Sequence, residues 1–280
     1  MIIVICPMVM NYPQRRLGKP ENVTIRIRTE VLSFSGNGTG TSKFRNQNPV
    51  SNPFLVSLLI LIRYTVNPGP QDYIVSDFYH QSIVGILREA LSHPVQGLHF
   101  HYEPYELYWK RSNESNPIRV FGELYTSPVF LDAHKALQDS PPEPGCHLPR
   151  VVAGLMLSLD STHLTSFGDT KIWPQYLFFG NYSKYRRCKP NCHLCHHVAY
   201  FQKLPDKFKD FASSITEGKN LDSNFITHCN RELLHAQLQI ILDDKFLSAY
   251  QHGVVIACVD GLERRFFPRL FTYSADYPEK

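Results

Sequence analysis

The chain has 280 residues, of which 43% are hydrophobic and 19% charged; this composition supports a folded core and excludes wholesale disorder. A net charge of +4 is compatible with nucleic-acid binding without requiring it, and seven cysteines, an odd number, do not form a disulfide scaffold. The longest apolar run, Phe54–Ile62, is well short of the about 20 residues that a membrane-spanning helix needs.

The first 71 residues form a heterogeneous N-terminal segment. Ser33–Asn52 is dominated by Ser, Gly, Thr, Asn and basic residues, a composition that buries too little apolar area to order itself. In Asn67–Asp72 two prolines flank a glycine, which interrupts any helix or central strand. We therefore predict that residues 1–71 are a partly disordered, low-complexity segment.

Residues 72–148 are predicted to be a small, mainly helical region. Apolar residues recur at helical spacing in Phe78–Ser92, and Pro94 ends that run. A Ser-Pro start favours a second helix over Ser127–Leu137. The proline-rich run Ser140–Pro144 is predicted to be a linker to the next region.

Residues 149–280 are predicted to fold as an α/β core. A long amphipathic helix begins at Ser223 and ends at Asp243–Asp244, and the dipeptide Asp260-Gly261 between apolar runs indicates a hairpin turn in which the aspartate is structural. The predicted strands are Arg150–Leu159, Ile172–Phe179, Val198–Phe201, Val254–Val259 and Phe266–Tyr273.

Two acidic residues, Asp160 and Asp276, each follow closely on a predicted apolar strand. Binding and catalytic sites of α/β sheets lie at the carboxyl ends of strands. Carboxylates at the ends of adjacent strands can share divalent metal ions, and Mg²⁺ prefers such hard oxygen ligands. A simple turn or capping role is the alternative for each aspartate.

The segment Tyr185–His197 combines three cysteines with three histidines and several basic residues. Cys192 and Cys195 have the C-x₂-C spacing of zinc ligands, and either Cys188 or a histidine of this segment is a candidate third ligand, although a second such pair is absent. A basic polar loop with reduced thiols is the alternative. Three cations lie close to tyrosines in this segment and form a basic–aromatic patch suited to phosphate contacts. They are Arg186, Arg187 and Lys189.

Motifs of several large enzyme classes are absent from the sequence. It contains no G-x-S-x-G, no P-loop, no H-E-x-x-H and no G-x-G-x-x-G. Serine hydrolases, P-loop NTPases, zincins and Rossmann enzymes therefore lose support.

A family resemblance is found in dense, collinear stretches between Asp72 and Lys280. Among them are VFGELYTSPVFLDAH, LPRVVAGLMLSLDSTHLTSFG and FFPRLFTYSADYPEK. The chain resembles the Plavaka-type transposases, a fungal branch of the CACTA (En/Spm) group. The resemblance implies a partial RNase H-like (DDE transposase) core with three acidic residues and two Mg²⁺ or Mn²⁺ ions. It also implies DNA, the transposon ends, as the partner and the nucleus as the place of action.

Within this resemblance Asp160 matches the first acid of the family and Asp276 matches the second, while His163 is placed to orient the site. The chain ends four residues after Asp276, whereas such relatives continue through a Cys-rich segment and a helix with the third acid. We therefore expect a truncated copy, ancestrally a metal-dependent DNA strand-transfer enzyme and inactive as this chain.

Two other interpretations remain open from the sequence. In the first, the chain is a non-catalytic DNA- or protein-binding remnant, with self-association as a further expectation. In the second, it is a zinc-stabilised structural module. The cations that would carry DNA binding are Arg186, Arg187, Lys189, Arg264, Arg265 and Arg269, and the zinc ligands would be Cys188, Cys192 and Cys195.

Overall fold

The structure is a computed structural model that describes residues 3–4, 23–30, 54–64, 71–111, 116–163, 171–216 and 223–275. These residues form a mixed α/β fold. The strands are β1 (Ile3–Val4), β2 (Val23–Glu30), β3 (Phe54–Tyr64), β4 (Gln71–His80), β5 (Leu107–Trp109), β6 (Ile118–Val120), β7 (Arg150–Leu159), β8 (Thr162–His163), β9 (Lys171–Phe179), β10 (His196–Phe201), β11 (Val254–Ala257) and β12 (Glu263–Ala275). The α-helices of the same residues are α1 (Ile83–Ser92), α2 (Pro128–Asp139), α3 (Lys184–Arg187), α4 (Lys207–Thr216), α5 (Ser223–Ile241) and α6 (Asp244–His252).

One large sheet organises the described residues, in the strand order β1-β12-β7-β9-β10-β4-β3-β2. Strands β7, β9 and β10 follow one another as antiparallel neighbours, whereas β12 returns to the other side of β7 and pairs with it in parallel. The short strands β11 and β8 attach to β12 and β9, and β5 and β6 form a separate two-stranded ribbon.

The parallel pair β7–β12 has a register that aligns the ends of the two strands. Arg150 pairs with Arg265 near the start, Ala153 pairs with Pro268, and Leu159 pairs with Ala275 at the end. The carboxyl end of β7 therefore lies directly beside the carboxyl end of β12. This alignment brings two distant parts of the sequence to the same edge of the sheet.

Strand β7 has apolar packing on both of its faces, as its near-continuous apolar sequence predicts. Alternate residues from Val151 to Leu159 join the larger core, which contains apolar residues of α1 and α5. Val152 points the other way and packs in a second core with Phe130 of α2 and Phe267 and Phe271 of β12. Helices therefore cover both faces of the sheet around β7.

The strands and the hairpin that we predicted in the C-terminal half are confirmed. Predicted strands over Arg150–Leu159 and Ile172–Phe179 correspond to β7 and β9, and Val198–Phe201 falls within β10. Strands β11 and β12 pair as an antiparallel hairpin. At its turn, Asp260 accepts a hydrogen bond from the Leu262 N–H at 3.1 Å, which confirms a structural role.

Two helix boundaries differ from the prediction. Phe78 belongs to β4, and α1 starts at Ile83 because the Ser82 hydroxyl accepts a hydrogen bond from the Gly85 N–H and caps the helix. Asp243 does not end α5; its carboxylate accepts a hydrogen bond from the Phe246 N–H at 2.8 Å and starts the separate helix α6. Both polar side chains act as N-caps, a role that overrides continuous periodicity.

Residues of the predicted region 72–148 share the main sheet and the larger core with the C-terminal half. Strand β4 begins at Gln71 and pairs with β10 through His80 and Ala199, and Phe78 packs in the same core as Leu155. The predicted loop Ser33–Asn52 lies outside the described residues. No helix in the described part of the chain has the length and apolar content required to cross a membrane.

Candidate functional site

Asp160 lies at the carboxyl end of β7, directly after the last buried residue of that strand. The residue is exposed, whereas the preceding Leu159 is 2% exposed and pairs with Ala275 at the end of β12. Asp276 follows Ala275 in the sequence and lies outside the described residues. The described structure thus places Asp160 at a solvent-accessible sheet edge, next to the residue that precedes Asp276.

A tyrosine of β9 shares the neighbourhood of Asp160. Tyr176 lies opposite Ser158 of β7, two residues before Asp160. Burial raises the pKa of the Tyr176 phenol, and negative charge on Cys195, Tyr200 and Asp160 acts in the same direction. Tyr176 therefore lies close to the end of β7 that Asp160 follows.

A row of aromatic rings extends from Tyr176 of β9 to the neighbouring strand β10. The Tyr176 ring meets the His197 ring edge to face at a centroid distance of 5.5 Å, and the His197 and Tyr200 centroids are 4.0 Å apart. Burial lowers the pKa of His197, which favours its neutral form. We call Tyr176, His197 and Tyr200 the ring row; the sequence analysis did not predict it.

Two further residues lie near the carboxyl end of β7. His163, which we predicted to orient the site, is in β8, where it pairs with Lys171 of β9. Gln175 pairs with Leu159 and is completely buried, and its side-chain amide has no hydrogen-bond partner among the described residues. Gln175 gives no sequence signal, because an isolated glutamine in an apolar strand marks no known chemistry.

The carboxylate oxygens of Asp160 are of the kind that Mg²⁺ and Mn²⁺ bind. Within the described ranges, however, no group of three or more His, Cys, Asp and Glu side chains converges on a common point. Asp276, the candidate for a second carboxylate, lies outside the described residues.

The three cysteines of the predicted zinc site are free thiols. Cys188 is exposed at the end of α3, Cys192 is half-buried, and Cys195 is an exposed residue. Protein atoms nevertheless surround the Cys195 sulfur closely enough that burial raises the pKa of its thiol. Among the described residues these thiols do not belong to a cluster with metal-binding geometry.

The basic patch of α3 is only partly available to a ligand. The Arg187 side chain is 13% exposed, lies 3.8 Å from the Glu123 carboxylate, and burial lowers its pKa. The Nε atom of Arg186 is also buried. Lys189 is exposed, so it is the cation of this predicted patch that solvent reaches most freely.

The arginines of β12 make intramolecular contacts. Arg264 donates two hydrogen bonds to the Asp260 carboxylate, at 2.9 and 2.7 Å, and its guanidinium lies 3.9 Å from the centroid of the Tyr102 ring. Arg265 donates to the backbone oxygen of His252 at 2.7 Å, and Arg269 donates to that of Tyr250 at 2.6 Å. These contacts hold the hairpin and α6 in place.

The predicted cations and Asp160 lie at opposite ends of β7. Arg264 and Arg265 are at the start of β12, where Arg265 pairs with Arg150 at the start of β7. Helix α3 follows the end of β9, which runs antiparallel to β7 and ends opposite Leu155. The structure does not bring either group of cations to Asp160.

Comparison with known proteins gives one informative match. The family model described as Plavaka transposase matches residues 65–280, which is more than three quarters of the chain. No match was found among curated proteins, and none among solved structures. The matched range contains β4 to β12, all six described α-helices and both Asp160 and Asp276. The chain therefore belongs to the Plavaka transposase family.

Proposed function

We propose that Asp160 and Asp276 form part of a metal-dependent centre for phosphodiester chemistry on DNA, the function by which a transposase cuts and joins strands. The observation that carries this proposal is the register of β7 and β12. Leu159 pairs with Ala275, and an aspartate follows each of these two residues in the sequence.

The strand order supports an RNase H-like interpretation of the core, which the sequence resemblance implies. Three successive antiparallel strands, β7, β9 and β10, are joined by the parallel strand β12 on the free side of β7. Helices α4, α5 and α6 lie in the connection between β10 and β11. In such a sheet the carboxyl ends of the central parallel pair are the expected position for two acidic metal ligands.

The residues of this centre would bind metal rather than transfer protons. Bound Mg²⁺ or Mn²⁺ would activate a water or a 3′-hydroxyl and stabilise charge at the phosphate that is attacked. Asp160 would hold the ion from the end of a rigid, buried strand, which fixes the position of its carboxylate. Tyr176, whose pKa is raised, stays protonated at neutral pH and therefore adds no charge beside the metal.

Two carboxylates are fewer protein ligands than the family pattern implies. The described residues place no cluster of three ligating side chains at this edge. We propose that this chain binds divalent metal through the pair but does not cleave DNA above background.

A titration with Mn²⁺, followed by the electron paramagnetic resonance signal of the free ion, tests this proposal. We expect Asp160→Asn to weaken Mn²⁺ binding by about ten-fold or more, because the amide is a poorer ligand than the carboxylate. Asp132→Asn is the matched control, since Asp132 is an exposed aspartate of α2 and is expected to leave binding unchanged. Equal binding by wild type and Asp160→Asn would contradict the assignment.

A cleavage assay with the same proteins separates the two parts of the proposal. Supercoiled DNA is incubated with each protein in the presence of Mg²⁺ or Mn²⁺. Nicking that depends on Asp160 would confirm the location of the site and overturn the proposed loss of activity.

A further inference from the structure

An open groove of about 680 Å³ lies between β4, β9 and β10, at the sheet end where Asp160 is found. Its size is within the range of ligand pockets, about 300–1,000 Å³. The start of β9 and the end of β10 supply one part of its lining, and β4 supplies the other. The residues used below are Tyr79, Lys171, Trp173, Tyr200 and Lys203.

Exposed aromatic rings are the first chemical feature of this groove. Tyr79 is 46% exposed and Tyr200 is 43% exposed, although both lie in strands of the main sheet. Half-exposed rings in a sheet offer flat apolar faces to a partner that can stack on them. The ring row starts at Tyr176, opposite Ser158 of β7, and ends at Tyr200, which lines the groove, so it runs from the groove towards the strand that Asp160 follows.

The second feature is positive charge. Lys171 and Lys203 are exposed, and the Lys203 ammonium lies 3.9 Å from the centroid of the Trp173 ring. Among the residues that line the groove, Asp77 is the single acidic residue, so the lining carries a net charge of +1. Anionic partners are therefore favoured over cationic partners.

Hydrogen bonds hold the walls of the groove in position. The Gln202 side-chain amide donates to the Asp77 backbone oxygen at 2.8 Å and thereby links β4 to the residue after β10. The backbone N–H of Gln202 donates to the side-chain oxygen of Gln237 at 2.7 Å, and the side-chain amide of Gln237 donates to the backbone oxygen of Gln202 at 3.1 Å. The groove is thus preformed, which reduces the entropy lost on binding.

We propose that this groove binds a single-stranded segment of DNA, with unpaired bases stacked on Tyr79 and Tyr200 and phosphates contacted by Lys171 and Lys203. A duplex hides the faces of its bases inside the helix, whereas a single strand presents them to aromatic side chains. A basic groove with exposed rings matches the single strand. The proposal rests on the proposed function for the choice of DNA as the ligand.

Fluorescence anisotropy with a labelled oligothymidine of about 12 nucleotides tests the groove. The full chain is titrated in the presence of EDTA, so that metal binding does not contribute. We expect Tyr79→Ala and Tyr200→Ala each to weaken binding by about five-fold or more, because each removes a stacking surface. Tyr200→Phe retains the ring and is expected to bind as wild type does.

The salt dependence of the affinity tests the lysines. Each phosphate contact of a single strand contributes about 0.7 to the slope of log affinity against log salt. The double variant with Lys171→Ala and Lys203→Ala is therefore expected to reduce this slope by about 1.4. Tyr108→Ala and Lys135→Ala are matched controls, since both residues are exposed and neither lines the groove, and they are expected to leave binding unchanged.

Several outcomes would overturn the proposal. These are the absence of oligothymidine binding by the wild type, unchanged binding by the groove variants, an equal loss with the controls, or an equal effect of the groove variants on duplex DNA. Where a variant does not fold, photocross-linking of the wild type to single-stranded DNA that contains bromodeoxyuridine, followed by peptide mapping, locates the binding site instead. Cross-links outside the groove strands β4, β9 and β10 would contradict the proposal.

The Asp160→Asn variant distinguishes a failure of the groove proposal from a failure of the metal-centre proposal. In EDTA the variant is expected to bind oligothymidine as wild type does, because Asp160 is not among the residues that line the groove. If the wild type binds oligothymidine but not Mn²⁺, the proposed metal centre is contradicted and the proposed groove function stands. If it binds Mn²⁺ but not oligothymidine, only the proposed groove function is contradicted.

Discussion

Asn181 is a fully buried polar residue whose side chain joins three backbone segments. Its oxygen accepts a hydrogen bond from the Gly154 N–H at 2.8 Å, and its amide donates to the oxygens of His101 and Val152 at 2.8 and 2.9 Å. These bonds connect the segment after β9 to the middle of β7 and to the chain before β5. The orientation of β7, and hence of Asp160, depends on this connection.

Replacement of Asn181 by alanine is expected to lower the free energy of unfolding by about 2–4 kcal/mol. The substitution removes three hydrogen bonds and leaves buried backbone groups without partners. Chemical denaturation followed by circular dichroism measures the change. Asn191→Ala, at an exposed position, is the control and is expected to stay within about 0.5 kcal/mol of the wild type. Similar values for both variants would contradict the role of Asn181.

His196 gives the fold a dependence on pH. Burial lowers the pKa of its imidazole to about 4, and its Nε2 atom has no hydrogen-bond partner in the described part of the chain. The unfolded chain, with an ordinary histidine pKa of about 6.5, takes up a proton below that pH, whereas the folded protein does not. The contribution of His196 to stability is therefore fully present above about pH 6.5 and is lost towards pH 4.

We predict that His196→Leu loses less stability than the wild type when the pH falls from 7 to 4.5. The difference is expected to reach about 2–3 kcal/mol, since one pKa unit corresponds to about 1.4 kcal/mol. Denaturation curves at several pH values measure it. His99→Leu, which replaces an exposed histidine, is expected to retain the pH dependence of the wild type, and a parallel loss in all three proteins would refute the prediction.

At the scale of elements, the strands and the hairpin of the C-terminal half were predictable, whereas β4, β5 and β6 and two helix starts were not. Continuous apolar runs identify strands such as β7, because a strand that is covered on both faces needs apolar residues throughout. The helix starts depend on single hydrogen bonds that the side chains of Ser82 and Asp243 accept, and a periodic apolar pattern does not reveal such bonds. Periodicity alone therefore extended the first predicted helix back into β4, and it did not predict α6.

The N-cap of α6 yields a prediction that distinguishes two adjacent aspartates. Asp243→Ala is expected to reduce the free energy of unfolding by about 1 kcal/mol, because it removes the acceptor of the Phe246 N–H. Asp243→Asn, which retains an oxygen acceptor, is expected to cost less. Asp244 lies in the first turn of α6, and Asp244→Ala is expected to cost about 0.5 kcal/mol through the helix dipole. Thermal unfolding ranks the three variants, and an equal loss for both alanine variants would contradict the cap.

At the scale of the whole molecule, distant segments of the sequence converge on the proposed metal centre and on the groove. The position of Asp160 directly after a buried strand could be predicted, since it follows a continuous apolar run, whereas its role as a site residue stays a prediction. The groove could not be predicted, because β4, β9 and β10 contribute to it from separate parts of the chain and only the sheet order makes them neighbours. The separation of Asp160 from Arg264 likewise follows from strand direction, which composition does not reveal.

The shared core predicts that residues before and after position 149 unfold together. Phe78 of β4 is completely buried in the same core as Leu155 of β7. Phe78→Ala is therefore expected to lower the stability of the whole fold by about 3–5 kcal/mol, in one transition. Differential scanning calorimetry would detect it. Two separate transitions, with only the first shifted, would indicate independent domains.

Strand β12 has a consequence for contacts between copies of the protein. On the side away from β7, β11 pairs with residues 263–266 and β1 pairs with residues 272–273. Between them, among the described residues, the outer edge of β12 lacks a neighbouring strand and includes Pro268, which has no N–H to donate. Pro268 is buried, and the neighbouring Arg269 donates a hydrogen bond to the Tyr250 backbone oxygen of α6, so protein atoms lie against this part of β12 and leave little room for a second chain to add a strand.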